Sequence, residues 1–251
     1  QAAAPAQLVS LILSDVVGDP LEAIASGLTV VDPTSRKDAL DILEKYQLAD
    51  KVSSSILDFL KRSSIEEKPV GTDFEKVHNL IVGNNLMAAQ AALAQARLEG
   101  FNTYLLRTDQ QGEASEVAHE LCNTLRWAWK RADPVPPPAC IIAGGETTVS
   151  LQGEGRGGRN LELALSAVTD LADFPDVMLV TLATDGEDGV TDGAGAVVTG
   201  ATFARAAALG MHPEEFLKRN DSYTFFSALG DVLKPGPTGT NVNDLTFLFT
   251  F

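Results

Sequence analysis

The fold class follows from the alternation of strand and helix patterns in residues 140–185, CIIAGGETTVSLQGEGRGGRNLELALSAVTDLADFPDVMLVTLATD. Apolar runs at 140–145 and 176–185 predict two strands, and the apolar spacing of 160–172 predicts a helix between them. A glycine-rich loop lies before the helix. The order of strand, loop, helix and strand is typical of α/β proteins.

The same alternation extends outward on both sides of this segment. Further strands are predicted at 7–13, 78–83, 101–107, 147–152 and 243–251, and helices at 38–60, 85–99, 113–131, 201–209 and 213–229. We expect 7–13 to be a buried strand, Thr34 or Ser35 to cap the first helix, and 61–76 to be a linker. The pattern predicts a Rossmann-like α/β fold, a layered helix–sheet sandwich with a largely parallel or mixed sheet.

Composition and charge exclude several classes of function. The formal net charge of −15 argues against nucleic-acid binding, which needs clustered Lys and Arg, but it allows a local pocket for a small anion. No apolar run is long enough to span a bilayer and no signal peptide is recognised, so we expect a cytoplasmic protein without membrane contact. Cys122 and Cys140 are expected to be buried free thiols.

The glycine-rich loop GEGRGG (153–158) has the G-x-G-x-x-G spacing of a dinucleotide site, but its context fits poorly. The acidic residue at the end of the next strand, Asp185, lies 27 positions beyond the last glycine, farther than a ribose-binding acid should. Arg156 and Arg159 favour an anion site instead, because guanidinium groups bind carboxylate or phosphate and the following helix terminus is positive. The alternative is a flexible hairpin tip whose arginines face water.

A second polar cluster, TDGEDGVTDGAGA (184–196), follows the strand that ends at Asp185. It is not an EF-hand, because the sixth position counted from Asp185 is Val190 rather than Gly and the twelfth is Ala196 rather than Glu. A strand-end Asp can hold Mg²⁺ or accept a hydroxyl proton, and the alternative is a solvated acidic turn. The segments 143–151 and 235–245 are open to the same two interpretations, a ligand site or a plain turn.

Four segments taken together resemble one family, the class II glycerate kinases. AGGETTVSLQGEGRGGRNLELAL (143–165), ATDGEDGVTDGAGAVV (183–198) and NDSYTFFSALGDVLKPGPTGTNVNDLTFLF (220–249) resemble its C-terminal MOFRL domain. LILSDVVGDPLEAIASGLTVVDPTS (11–35) resembles the segment that joins the N-terminal domain to it. The resemblance implies that residues 1–70 are the end of a partial N-terminal α/β domain and that 71–251 form the MOFRL-type domain.

The resemblance implies an ATP-dependent glycerate 2-kinase with an active site in the cleft between two α/β domains. Arg159 would bind the carboxylate of D-glycerate or the transferring phosphoryl group, and Asp185 or Asp188 would hold Mg²⁺ or orient the attacking hydroxyl. The predicted catalytic residues are therefore Arg159, Asp185 and Asp188, and the expected cofactors are ATP and Mg²⁺. The predicted substrate-binding residues are Glu146, Arg156, Gly157, Gly158, Asn160, Thr240, Asn241 and Asn243.

The sequence departs from the family pattern in three ways. The Gly- and Ser-rich loop and a lysine of the family's N-terminal portion are missing, which implies that part of the cleft lies outside this sequence. Leu161 stands where the family has Gln and is expected to pack inward, and Leu28 replaces a turn proline. A hydroxypyruvate reductase and a non-catalytic anion-binding fragment stay open as alternatives. The expected partners are a small-molecule substrate and a second copy in a homodimer.

Overall fold

A computed structural model describes residues 5–62 and 75–251 of the chain. The strands are β1 (Leu8–Leu13), β2 (Val77–Gly83), β3 (Asn102–Gln110), β4 (Ala139–Gly145), β5 (Val177–Ala183), β6 (Gly195–Thr199), β7 (Val232–Leu233) and β8 (Asp244–Thr250). The helices are α1 (Arg36–Lys45), α2 (Ser54–Lys61), α3 (Asn85–Leu98), α4 (Ala114–Arg131), α5 (Arg159–Asp170), α6 (Thr202–Ala208), α7 (Pro213–Leu217) and α8 (Ser222–Leu229). The predicted domain boundary between residues 70 and 71 and most of the predicted linker lie outside the described residues.

The described residues form two compact units, and the first comprises the chain up to Ile12 together with Pro20–Leu80. The predicted cap of α1 is confirmed, because the amide of Asp38 donates to the Ser35 hydroxyl while the Ser35 amide donates to the Asp38 carboxylate. β1 is a strand as predicted, but it is not buried, and Leu11 is 68% exposed. It pairs with β2 in a two-stranded sheet, which covers few of its side chains.

The second unit, Leu13–Asp19 with Ile81–Phe251, is built on a six-stranded sheet with the order β3-β4-β8-β5-β6-β7. β3 and β4 pair in parallel, and the other neighbouring pairs are antiparallel. The predicted α/β sandwich is confirmed, with a sheet that is mixed rather than largely parallel. The helix-connected strands β3, β4 and β5 do run in one direction, but the last strand, β8, inserts between β4 and β5 in the opposite direction.

Helices cover both faces of this sheet, which gives the unit three layers. Ile141 and Ala143 of β4 belong to a core with α4 and α5, whereas Cys140 and Ile142 belong to a second core with α3. Successive side chains of a strand point to opposite faces, so a central strand contributes to both cores. Leu161 of α5 is fully buried in the first core, which confirms that it packs inward.

Both cysteines are free and buried, as predicted. Burial raises the pKa of Cys122 to about 12 and that of Cys140 to about 11, so both thiols stay protonated at neutral pH and are inert. Within residues 5–62 and 75–251, none of the helices has the length and apolar content that crossing a membrane requires.

Two predicted elements near the glycine-rich loop differ from the structure. Residues 147–152 do not form a strand, and Thr148 makes an isolated bridge with Glu113. The predicted helix 213–229 is interrupted between α7 and α8, where Asn220 has a φ of 52°. A residue in this left-handed conformation cannot continue a right-handed helix, so the chain turns there.

Candidate functional site

Arg159 occupies the first position of α5, and its guanidinium bridges two carboxylates. Its Nη1 donates to Oε1 of Glu146 at 2.7 Å, and its Nε donates to Oδ2 of Asp244 at 2.5 Å. Glu146 follows β4 and Asp244 begins β8, and the pairing of Gly145 with Asp244 brings them to the same edge of the sheet. The sheet therefore positions the two carboxylates, and α5 brings the arginine to them.

Burial and charge together determine the protonation of this cluster. The side chain of Asp244 is 11% exposed, and burial raises its pKa against the opposing hydrogen bond from Arg159. Burial also acts to lower the pKa of Arg159, but Asp244 and then Glu146 outweigh it and hold that pKa above its ordinary value. Arg159 is therefore a permanent positive charge at neutral pH.

The guanidinium of Arg159 keeps donors available for a ligand. A guanidinium has five N–H groups, and the contacts with Glu146 and Asp244, including Nη2 at 3.4 Å from Oδ1 of Asp244, use three of them. One N–H on each terminal nitrogen is left. Guanidinium N–H groups of this kind donate to the oxygens of a carboxylate or a phosphate.

An open cleft of about 640 Å³ lies beside Arg159 and Glu146. Its other lining residues are Gln111, Gly112, Thr147, Thr148 and Val149. None of these five is among the predicted site residues. They follow β3 or β4, so the rule that ligands bind at the carboxyl ends of α/β strands is the signal that could have found them.

The glycines of the loop at 153–158 serve packing within the protein. All four of them have no room for a β-carbon, because each lies against another segment of the chain. The close contacts pair Gly153 and Gly155 with Arg219, Gly157 with Ser222 and Gly158 with Asp188. The G-x-G-x-x-G spacing is thus explained by close approach of the protein's own backbone.

The two arginines of this loop lie in different surroundings. Arg159 lines the cleft, so the structure does not leave it on a solvent-facing tip. Arg156 is exposed, and its guanidinium carbon lies 4.7 Å from the centre of the Tyr223 ring, a cation–π contact. The structure therefore brings Arg159 and Glu146 together in the cleft, while Arg156 is not one of its lining residues.

A carboxylate of the protein itself occupies the amino terminus of α5. Asp188 is 3% exposed and accepts hydrogen bonds from the amide of Leu161 at 2.8 Å and from that of Asn160 at 3.2 Å. Burial raises the pKa of Asp188 to about 6, and the two amides oppose this rise. We expected this helix terminus to bind a substrate anion, but Asp188 already caps these two amides.

The remaining predicted residues lie outside the lining of the cleft. Asp185 is half-buried after β5, and its Oδ1 accepts a hydrogen bond from the amide of Glu187 at 3.2 Å. Thr240 is exposed, and the amide of Asn243 donates to Oδ1 of Asn241 at 2.9 Å within the turn before β8. These contacts account for the turn, and the predicted ligand-binding roles of the residues stay predictions.

These features define the class, a three-layer α/β protein with an arginine-lined cleft at the carboxyl ends of its strands. The model of the MOFRL family matches residues 139–244, and the model of a domain of unknown function, DUF4147, matches residues 1–61. A glycerate kinase from Macaca fascicularis is 39% identical, and the match covers 99% of this chain and 74% of that protein. The chain belongs to the glycerate kinase family.

Two further relatives agree with this assignment. A glycerate 2-kinase from Pyrococcus horikoshii is 40% identical over 94% of this chain and 54% of its own length. The crystal structure of a glycerate kinase from Thermotoga maritima matches with a TM-score of 0.88 at 38% identity, over 99% of this chain and 58% of that chain. The chain thus spans little more than half the length of these two relatives.

Proposed function

We propose that this chain takes part in the ATP-dependent phosphorylation of D-glycerate at its 2-hydroxyl, and that Arg159 binds the glycerate carboxylate. The observation that carries the proposal is the guanidinium of Arg159, which Glu146 and Asp244 hold at the cleft with two donors unused. The relatives named glycerate kinase and glycerate 2-kinase suggest the substrate and the reaction. A small molecule is therefore the proposed partner, while the homodimer and the cytoplasmic location stay predictions.

The cleft offers what positioning of glycerate requires. Phosphoryl transfer depends on orientation and charge neutralisation more than on covalent chemistry by the protein. The carboxylate would be held in the plane of the Arg159 guanidinium, and Thr147 and Thr148 line the same cleft. The Thr148 hydroxyl donates to the Gly112 carbonyl at 3.3 Å, so the Thr147 hydroxyl is the one proposed to donate to the other end of the hydroxy acid and to orient its 2-hydroxyl for attack.

ATP and Mg²⁺ belong to this proposal because the relatives are kinases. Among residues 5–62 and 75–251, no three His, Cys, Asp or Glu side chains come together as a metal site. The carboxylate of Asp188 is committed to two backbone amides, whereas Asp185 keeps one oxygen without a hydrogen bond. Asp185 therefore fits a magnesium ligand better than Asp188, with the other ligands coming from phosphate and water. When bound, Mg-ATP supplies the transferred phosphoryl group.

The domain assignment is part of the same proposal. We assign residues 1–70 to the end of one α/β domain and residues 71–251 to a MOFRL-type domain. The two family models support a division into two regions, because one match ends at residue 61 and the other begins at residue 139.

Thermal unfolding in the presence of separate ligands tests the proposed function. D-glycerate or Mg-ATP at a hundredfold excess over its Kd should stabilise the chain by about 2.7 kcal/mol. The shift with D-glycerate should disappear in Arg159→Lys, because a lysine cannot hold two carboxylates and a ligand in one plane. Arg205→Lys is the matched control, since Arg205 pairs with Asp231 away from the cleft lining.

The alternatives give different results in the same experiment. A shift with NADPH alone would refute the kinase and support the hydroxypyruvate reductase. A shift with D-glycerate, but no phosphoglycerate formed when Mg-ATP is added, would support a non-catalytic anion-binding fragment.

A further inference from the structure

One short segment holds the glycine-rich loop along most of its length. This strap, residues 219–223, joins α7 to the start of α8. The amides of Gln152 and Gly153 donate to Oδ1 of Asn220, at 2.7 and 2.9 Å. The Gly155 amide donates to the Arg219 carbonyl at 2.8 Å, and the Arg156 amide donates to Oδ1 of Asp221 at 3.1 Å. In the other direction, the Tyr223 amide of the strap donates to the Arg156 carbonyl at 2.9 Å. A loop so rich in glycine is therefore held in one conformation by its neighbour.

Asn220 is the centre of the strap. It is 7% exposed and has a φ of 52°, which turns its side chain toward the loop. While its Oδ1 accepts from the two loop amides, its Nδ2 donates to Oε1 of Glu162 at 3.2 Å. Glu162 lies on α5 one turn after Arg159 and is 6% exposed. Asn220 thus links the loop directly to the helix that carries Arg159.

The segment of chain that leads from β4 into the glycine-rich loop lines two cavities, one with each of its halves. We call residues 146–153 the dividing wall. Its first part, Glu146–Val149, lines the cleft beside Arg159, whereas Ser150 and Gln152 line a second cavity of about 330 Å³ together with Glu162 and Asn220. The side chain that anchors the end of the dividing wall therefore lies in a different cavity from the proposed substrate.

We propose that Asn220 and Glu162 form a positioning pair that fixes the dividing wall and thereby sets the affinity of the Arg159 cleft for a small carboxylate. This inference rests on the proposed function. The ionised carboxylate of Glu162 is a strong acceptor for the Asn220 amide, which in turn orders the two loop amides. Neither residue touches the cleft, so both would act through the dividing wall.

The surroundings of Glu162 predict that the affinity of the cleft for D-glycerate depends on pH. Burial raises the pKa of Glu162 to about 7, the hydrogen bond from Asn220 opposes this rise, and the charges of Glu113 and Asp188 add to it. Lys218 is the cation that lines the same cavity. A protonated Glu162 accepts the hydrogen bond from Asn220 more weakly than the ionised carboxylate does. The affinity of the cleft for D-glycerate should therefore fall as the pH falls through this pKa.

Two substitutions separate the pair from a general effect on folding. Asn220→Asp keeps the acceptors for the loop amides but places a second carboxylate against Glu162, and it should weaken D-glycerate binding about tenfold. In the double variant with Glu162→Gln, the new amide at position 162 donates to the new carboxylate at position 220, which reverses the wild-type hydrogen bond. The double variant should therefore bind D-glycerate almost as the wild type does. Asn102→Asp is the matched control, because Asn102 likewise donates through Nδ2, at 2.9 Å to the Pro136 carbonyl.

Calorimetric titration of D-glycerate into the chain between about pH 6 and pH 8 is the binding measurement, and amide hydrogen exchange of residues 152 and 153 is the structural one. We expect the wild-type affinity to fall about fivefold toward the acid end and this dependence to shrink in Glu162→Gln, where Asp188 still titrates. The proposal would be overturned by any of three results. These are wild-type affinity for D-glycerate in Asn220→Asp, a double variant that binds no better than Asn220→Asp, and a wild-type pH dependence of affinity in Glu162→Gln.

The exchange measurement distinguishes this inference from the proposed function. If the wild type does not bind D-glycerate, the proposed function fails by itself. Faster exchange at residues 152 and 153 in Asn220→Asp, restored in the double variant, would still support the positioning pair. Unchanged exchange would overturn it whether or not glycerate binds.

Discussion

The guanidinium of Arg159 and the carboxylate of Asp244 make two contacts, Nε to Oδ2 at 2.5 Å and Nη2 to Oδ1 at 3.4 Å. The contacts fix the plane of the guanidinium, and Arg159 lines the cleft. They also pair a carboxylate that is only 11% exposed. The stability of the fold and the proposed binding of a ligand therefore involve the same pair of residues.

Arg159→Ala should cost about 2 kcal/mol of unfolding free energy near neutral pH, because it leaves the buried carboxylate of Asp244 without its cationic partner. The pKa of Asp244 is already raised by burial and should rise further in the variant. Protonation at lower pH then removes the unpaired charge, so the loss should shrink toward about pH 5. Urea unfolding at the two pH values measures this, and a loss that does not change with pH would contradict it.

Gly158→Ala should destabilise the chain by about 2 kcal/mol, because the new methyl group would overlap the carboxylate of Asp188. Gly83→Ala is the matched control. Its β-carbon would meet the end of the Leu13 side chain, which can rotate away. Thermal unfolding of both variants should show a clearly larger loss for Gly158→Ala, and equal losses would mean that Asp188 moves aside at little cost.

Asp188→Ala should cost about 1–2 kcal/mol, since it leaves the amides of Asn160 and Leu161 without an acceptor at the start of α5. Asp188→Asn keeps one oxygen for them and should cost less. Denaturant unfolding gives the order of the two variants. If Asp188→Asn were as damaging as Asp188→Ala, the negative charge rather than the cap would be the important feature.

Glu162→Gln should stabilise the chain at pH 8. The pKa of Glu162 is about 7 in the folded protein, against 4.5 for an unperturbed glutamate, so the folded protein holds a proton that the unfolded chain has lost. The stability that this proton contributes is fully present below the pKa of the unfolded chain, 4.5, and is lost as the pH rises through the folded pKa of about 7. The variant has no such proton and should gain up to about 3 kcal/mol over the wild type at the alkaline end.

Unfolding free energies measured from about pH 4.5 to pH 8 test this dependence. The exposed Glu116→Gln, on the first turn of α4, is the control and should follow the wild type throughout. A constant difference between Glu162→Gln and the wild type across this range would show that Glu162 titrates normally.

The strongly periodic elements were predictable because their signal is local. The helix at 160–172 and the strands at 176–185 and 243–251 correspond to α5, β5 and β8 within a few residues. The short strands β6 and β7 were not predicted, because strands of five and two residues are too short to show a clear periodic pattern. Residues 147–152 alternate like a strand, but they are anchored by loop contacts instead.

The candidate site was predictable only in part. Arg159 was identified from its residue type, its place at a helix terminus and the family resemblance, and Glu146 from its place after a strand; the structure brings them together. Asp244, the second partner of Arg159, and Asn220 were not identified. Asp244 begins a strand far along the chain, and Asn220 interrupts a predicted helix, so neither residue has a local pattern that points to the loop.

The α/β class, the family and the position of most helices and strands follow from the amino-acid sequence alone, and so does the prediction that Arg159 binds an anion. Periodicity and residue type are properties of neighbouring residues, so they can be read along the chain. The three-dimensional structure was needed to find that β8 lies between β4 and β5, that Asp188 rather than a ligand caps α5, and that Gly153, Gly155 and Gly157 pack on residues 219–222. These contacts join residues that are far apart in the chain, and long-range pairing is set by packing that no local pattern encodes.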